Sequence, residues 1–334
     1  MGILFLSAQP GSPALARRAR RTALALSVLG LLASCDKNSE PIEASLPAKI
    51  TVPQRALSPE GIQYDEANQR FIVSSRTQGR IGTVRDDSTY TQLADDPRLV
   101  STIGLNLDVT RQRLLAAVSD AGANTTRSTA TTLRKLAALA SFNPSTGALL
   151  SYVDLGALRP NLPHFANDIA VDGQGNAYIT DSLSPIIYKV DAQGVATVFL
   201  ENAQLSGGTG FGLNGLVYHP DGYLLVAKSN DGTLYKVPLA NPTGFTAVAS
   251  TQSLVGADGL LLLDNTTLLV VAGSQSTVFR MASSDAWATT RPTGSFATGA
   301  VSPTTITRRA SSVPYVLYPY MATSPRFAIT RVSF

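Results

Sequence analysis

A strand–turn–strand unit recurs along this chain at a spacing of about 45 residues, and two further short apolar segments follow each copy. Four short antiparallel strands at that period predict an all-β chain, a six-bladed β-propeller with four-stranded antiparallel blades. Composition agrees. Of 334 residues, 44% are hydrophobic and 15% charged, and 26 Gly and 19 Pro supply the turns. That is a turn-rich globular chain rather than a helical or disordered one.

The units can be read in order. PEGIQYDEANQRFIVSS begins at Pro59, and TIGLNLDVTRQRLLAAVSD, a weaker copy, begins at Thr102. FANDIAVDGQGNAYITDS (165–182) is an apolar strand, a Gly-rich polar turn and a second strand. LNGLVYHPDGYLLVAKS begins at Leu213 and ADGLLLLDNTTLLVVAG at Ala257. Third strands follow as IIYKVD, TLYKVP and TVFRMA; Asn167 to Tyr188, Asn214 to Tyr235 and Asp258 to Phe279 are each 21 residues apart. Fourth strands close the units, as in ATVFL and FTAVA. The strand heads fall at Glu60, Ile103, Asn167, Asn214, Asp258 and about Thr305. The one long separation reflects an insertion near 121–137. Within it LRKLAALA has some helical character, but the hairpin ASFNPSTGALLSYVDL makes its second half a strand. The last unit offers three strands before the chain ends. AKITVP (48–53) is the segment expected to supply the fourth, against 326–334, and so close the ring.

Ahead of the repeats, Arg17, Arg18, Arg20 and Arg21 precede a 12-residue apolar run, 22–33. The run is shorter than the ~20 residues of a membrane-spanning helix and reads as an export signal. LASC resembles the lipobox of bacterial lipoproteins, which implies lipidation of Cys35. Cys35 is the only cysteine, so no intramolecular disulfide forms. The expected organisation is a lipoprotein-type signal over 1–34, a polar tether over 35–47 and a propeller over 48–334. The protein is expected to be exported and lipid-anchored at the bacterial cell envelope, on its periplasmic or outer surface, as a monomer. Removing residues 1–34 takes the formal net charge from +4 to zero, and no basic face remains. Nucleic acid is therefore excluded as a partner, and membrane contact is expected only through the lipid.

Asn167 and Asp168 stand at the head of an apolar strand, where polar residues are out of place. In a propeller, first-strand heads converge on the axis. Glu60, Asn167, Asn214 and Asp258 would then meet there, offering two carboxylates and two amide carbonyls. These are hard oxygen ligands of the kind Ca²⁺ prefers, with Zn²⁺ or Mn²⁺ as other candidates. Asp168 is either an orienter of Asn167 or an ordinary turn residue. His164, three residues before Asn167, is a candidate for proton transfer or substrate contact. His219, in HPDG, reads as a solvated turn residue. No Gly-x-Ser-x-Gly elbow, phosphate-binding loop or Cys/His cluster is present.

Glu60-Gly61, Asn167-Asp168, Asn214-Gly215-Leu216 and Asp258-Gly259 resemble, in order and spacing, the strand-head motifs of the regucalcin/gluconolactonase family. These are six-bladed propellers with one divalent metal on the axis, and the resemblance spans roughly residues 55–300. It implies that Glu60, Asn214 and Asp258 bind the metal directly and that Asn167 contacts metal or substrate. It also implies that Asp258 is the catalytic base. The family often has Asn-Asp-Gly where this chain has Asn167-Asp168-Ile169, and its sugar-contacting Arg is Phe165 here. NDIAV is similar to the matching stretch of the paraoxonases, whose Asp-Asn stands here as Asp258-Gly259. Two functions follow as expectations. One is a metal-dependent hydrolase of a lactone or related ester. The other is a non-catalytic, envelope-tethered propeller that binds a ligand or partner and keeps Ca²⁺ as a structural pin.

Overall fold

The computed structural model describes residues 46–309, 312–320 and 323–334. The expected signal, Cys35 and most of the tether lie outside the described residues. No helix among the described residues is long and apolar enough to cross a membrane. The described chain is all β, with four three-residue 3₁₀ turns as its only helical elements.

After β1 (Lys49–Val52), strands β2 (Ile62–Asp65), β3 (Arg70–Val73), β4 (Arg80–Val84) and β5 (Tyr90–Asp95) form one antiparallel sheet in sequence order. The next comprises β6 (Ser101–Asp108), β7 (Arg113–Ser119), β8 (Ala137–Phe142) and β9 (Leu149–Asp154). A third comprises β10 (Ala166–Val171), β11 (Ala177–Asp181), β12 (Ile186–Val190) and β13 (Ala196–Glu201). Two further four-strand antiparallel units follow. They are β14 (Leu213–His219) to β17 (Thr246–Ser250) through β15 (Tyr223–Lys228) and β16 (Thr233–Pro238), and β18 (Ala257–Asp264) to β21 (Thr289–Ala297) through β19 (Thr267–Ala272) and β20 (Thr277–Ala282). The last sheet has the order β1, β24 (Phe327–Arg331), β23 (Val313–Tyr318), β22 (Ile306–Arg309).

Burial explains why the second strand of each unit is a continuous apolar run. Strands β7, β15 and β19 pack on both faces, so RLLAAVS, YLLVAK and TLLVVA are buried almost throughout. Outer strands such as β17 (TAVAS) expose most of their residues. Apolar clusters fill the gap between each sheet and the next. Ile72, Leu105 and Ala116 join the first two sheets, and Ile103, Phe165 and Ile179 the second and third. Leu224 and Ile187, then Leu225 and Leu268, continue the sequence, and Val271 packs with Val316. Ile50, Phe71 and Tyr315 bring the last sheet against the first.

The N-terminal strand takes its expected place. β1 pairs antiparallel with β24, from Lys49↔Thr330 to Val52↔Phe327, and covers the edge that β24 would otherwise expose. Its alternation puts Ile50 and Val52 inward. Tyr315 donates its hydroxyl proton to the Pro47 carbonyl at 2.7 Å, which pins the strand's entry. Ile50→Ala should therefore cost about 2–5 kcal/mol of stability, the usual range for emptying a buried aliphatic site. An unchanged denaturant midpoint would show that β1 does not hold the last sheet.

One feature departs from separate four-stranded units. β17 and β21 pair in parallel through Ala249↔Thr289 and Ser250↔Thr290, merging two units into an eight-stranded sheet. The cause lies in the loop before β21. Trp287 is fully buried, and its Nε1 donates to the Asn265 carbonyl at 2.9 Å. Asp285 accepts from the Thr289 amide at 3.0 Å and from its hydroxyl at 2.7 Å. Together they hold the start of this nine-residue strand beside β17.

Candidate functional site

In four units the first strand is irregular at its head, whereas β2 and β22 pair regularly with their neighbours. Pairing shifts register between Thr102 and Leu105, between Ala166 and Ile169, between Leu213 and Leu216, and between Ala257 and Leu260. The skipped pairs are Ile103-Gly104, Asn167-Asp168, Asn214-Gly215 and Asp258-Gly259. A bulge of this kind frees a residue from the ladder and turns its side chain out of the pleat. It gives the local reason why polar residues head apolar strands here.

Glycine follows the head in four of the six units because adjacent heads nearly touch. A Cβ at Gly61 would fall on the Ile103 carbonyl oxygen, one at Gly104 on that of Asn167 and one at Gly215 on that of Asp258. At Gly259 it would lie 2.6 Å from Thr305 Cα. This chain of contacts also fixes the register of the last head. Thr305 occupies the position after the head, so the head is Thr304 rather than the expected Thr305. The Thr304 hydroxyl donates to the Glu60 carbonyl at 3.1 Å.

All four expected ligands meet. Glu60, Asn167, Asn214 and Asp258 line one cavity of about 500 Å³, with Ile103, Thr304, Phe165, Phe211, Ser101, Ser229, Arg76 and the segment Ala121–Ala123. The Glu60 amide donates to Ser74 Oγ at 3.2 Å, and the Gly61 amide to the same oxygen at 2.7 Å. The Asn167 side-chain NH₂ donates to Ser182 Oγ at 2.8 Å, which leaves the amide oxygen for the cavity. The Asn214 amide hydrogen-bonds the Asp258 carboxylate.

The acids are under electrostatic stress. Burial raises the Glu60 carboxyl above its ordinary range, and the Arg76 guanidinium pulls it back in part. Burial also drives Asp258 well above the ordinary range, reinforced by the charges of Glu60 and Asp168. Asp168 is pushed up to about 7, chiefly by burial, although the Ile169 and Leu216 amides donate to it. Glu60 Oε2 is buried, accepts no hydrogen bond and lies 3.5 Å from Arg76 Nε. Buried carboxyls in this condition are neutralised either by a proton or by a nearby cation. Arg76 supplies one positive charge. A divalent ion held by two carboxylates and amide oxygens suits the remaining demand, and the donor set is of the hard-oxygen type. Among the described residues no group of three or more His, Cys, Asp or Glu side chains is placed to hold a metal. An ion here would therefore lean on the amides.

Asp168 is neither an orienter of Asn167 nor a plain turn residue. It occupies the position that is glycine in four other units, and its Oδ2 accepts from the Leu216 amide at 3.4 Å. It thereby bridges two neighbouring first strands. It also lines a second cavity of about 420 Å³, with Gln63, Asn106, Leu216 and Arg308.

The structure does not bring His164 to the cavity. Its ring is buried, with Nε2 donating to the Arg159 carbonyl at 2.9 Å and Nδ1 2.7 Å from Asp181 Oδ2. The Tyr188 hydroxyl lies 3.1 Å from the same Nδ1. Both nitrogens are engaged, so the ring ties the loop before β10 to β11 and β12. Burial disfavours the imidazolium, but the Asp181 hydrogen bond and charge outweigh it and raise the pKa. A raised folded-state pKa gives stability that is full below the ordinary histidine range and lost as pH climbs through the raised value. His164→Gln should cost roughly 3 kcal/mol at acid pH, the low end for breaking a buried pair, and less as pH rises. Urea melts of both proteins across pH 5–9 check this; a pH-independent difference contradicts it. His219 is buried too, rather than solvated. It stacks on Tyr223 at 4.3 Å, and its Nε2 donates to the Asn265 carbonyl at 2.9 Å.

Several lining residues carry no repeat signal. An antiparallel hairpin returns the end of its second strand to the head of its first, and that rule places Arg76 and Ser229 at the cavity. Phe211 and Ala121–Ala123 come from irregular loops. The insertion is clamped by Arg127, whose Nη1 donates to the Asp96 and Leu99 carbonyls at 3.0 Å, and by Asn124, which donates to the Val100 carbonyl at 2.7 Å.

No family model matches the chain, and no curated protein matches it. Solved structures do. The major Malassezia sympodialis allergen Mala s 1 superposes with a TM-score of 0.71 at 18% identity, over 86% of this chain and 96% of that one. A luciferin-regenerating enzyme gives 0.62 at 12% identity, over 86% and 95%. A Xanthomonas campestris gluconolactonase gives 0.59 at 17% identity, over 85% and 89%. The chain thus has the β-propeller fold that these proteins share, including a gluconolactonase.

Proposed function

We propose that the chain is a divalent-metal-dependent hydrolase of a lactone or related ester, built as a six-bladed propeller. The blade count is supported by six apolar clusters between successive four-stranded units in cyclic order, the last joining the sheet of β1 to that of β2. One observation carries the functional reading. Four oxygen-bearing residues from four four-stranded units, spread over nearly 200 residues of chain, converge in one cavity where a buried carboxylate oxygen accepts no hydrogen bond.

Glu60, Asn214 and Asp258 would hold the ion, with Asn167 contacting it or the substrate. Ca²⁺ suits these oxygens best. When bound, such an ion supplies charge that polarises a carbonyl and favours the developing oxyanion. Asp258 accepts the proton of the attacking water, and the Asn214 amide fixes its carboxylate. Ser182 holds Asn167 in one orientation. Ile103, Phe165 and Phe211 keep part of the cavity dry. The test is a hydrolysis screen over sugar, aliphatic and aryl lactones, with metal and with chelator. Metal-dependent turnover of at least one class is expected, and no turnover across the panel overturns the enzyme reading.

A second reading has its own support. Arg76 beside Glu60 partly balances the site without any ion. A non-catalytic propeller that binds a ligand in the same cavity fits that observation.

For location, the lipobox-like LASC supports export and lipid anchoring at the envelope. Cys35→Ser should lose lipid labelling and leave the membrane fraction. Unchanged partitioning contradicts the anchor.

A further inference from the structure

The cavity lining holds two unlike groups of side chains. One is Arg76, in the loop after β3, beside Glu60. Its guanidinium is held in place: Nη2 donates to Ser58 Oγ at 2.9 Å and Nε to the same oxygen at 3.3 Å. Its side chain is still 37% exposed, so a ligand can reach it. The other is Phe165 and Phe211, which form a tilted ring pair with centroids 5.0 Å apart. Phe211 is 44% exposed, an aromatic surface that nothing in the described protein covers. Ile103 and Ala121–Ala123 complete the apolar lining.

Charge balance gives Arg76 a role. Glu60 and Asp258 together offset a divalent cation. The third acid, Asp168, is held by the Ile169 and Leu216 amides and lines the second cavity, so inside this cavity Arg76 adds a positive charge beside a neutral set. A fixed cation next to a metal ligand weakens metal binding. A ligand anion removes that cost. Arginine suits the task, because its planar fork pairs with a carboxylate through two parallel hydrogen bonds. Ser58 meanwhile pre-orients the fork.

We infer that the cavity takes an amphipathic anion: a lactone or ester whose carboxylate pairs with Arg76 and whose aromatic body lies on the Phe165–Phe211 pair. This rests on the proposed hydrolysis only for the identity of the reacting group. The recognition element is a property of the lining, and it is testable without turnover.

The experiment is calorimetric binding of 3-phenylpropanoate and its neutral amide to the full-length protein in excess Ca²⁺. Wild type should bind the acid about 10-fold tighter than the amide, the scale of one charge-assisted pair. Arg76→Gln should bind acid and amide alike, and Arg76→Lys should restore part of the preference. Phe211→Ala should weaken both ligands by a similar factor. Equal binding of acid and amide by wild type overturns the inference, as does a preference that survives in Arg76→Gln. If Arg76→Gln fails to fold, the wild-type comparison and Arg76→Lys still decide it. Anion binding without lactone hydrolysis in the panel would sink the enzyme reading and leave this one standing.

Discussion

Asp258→Asn should reduce hydrolysis by about 10²-fold or more, even with metal saturating, as expected when an acid–base group is lost. The substitution keeps the side chain's size and one ligand oxygen. It removes a negative charge and the base. Cation affinity should also fall, because ligand charge helps set it. Asn214→Ala provides the contrast. It deletes a ligand oxygen and the hydrogen bond that fixes Asp258, but it leaves the base. Excess metal should then restore part of its activity. Rates measured against metal concentration for both variants separate the two losses. Equal rescue of both would show that Asp258 only holds the ion. In a binding scaffold there is no turnover to lose, and both variants should show only a smaller metal-dependent rise in Tm.

Gly215→Val should disrupt both the fold and the site. A Cβ at Gly215 would fall on the Asp258 carbonyl oxygen and lie 3.0 Å from the Leu260 amide nitrogen. Both are backbone atoms of the next first strand and cannot rotate away. Overpacking of this kind costs about 1–3 kcal/mol or more, and here the strand that must shift carries Asp258. Stability and cation affinity should therefore fall together. Gly173→Ala is the control, since a Cβ there meets nothing within 4 Å. A thermal melt with and without Ca²⁺ checks both. A Gly215→Val protein with wild-type Tm and wild-type Ca²⁺ response would contradict the close approach of the strand heads.

The strand heads were legible in the sequence because they repeat. One Asn before an apolar strand says little, but Glu60, Asn167, Asn214 and Asp258 stand at the same point of similar hairpins. The glycine after most heads was part of the same signal, and its reason emerged only in space, where each faces the next head's backbone. The placement of AKITVP against the C-terminal strand was legible because the last unit was one strand short. Other features depend on tertiary context. The β17–β21 pairing follows from a loop anchored by the buried Trp287, and no periodicity records it. His164 read as a site residue because it lies near Asn167 in the chain. Its partners, Asp181 and Tyr188, are brought to it by strands that sequence proximity does not reveal. Phe211 and Ala121–Ala123 sit on irregular segments, where no repeat marks which residues face inward. Arg76 was within reach of hairpin geometry, since the end of a second strand returns to the head of the first.

The claim beneath all of this is that the four strand heads form one divalent-cation site. Calorimetric titration of CaCl₂ into chelator-stripped protein tests it most directly. The expected result is one ion bound per chain, with binding lost in the Glu60→Gln, Asp258→Asn double variant. No binding by wild type, or binding unchanged in the double variant, would contradict it.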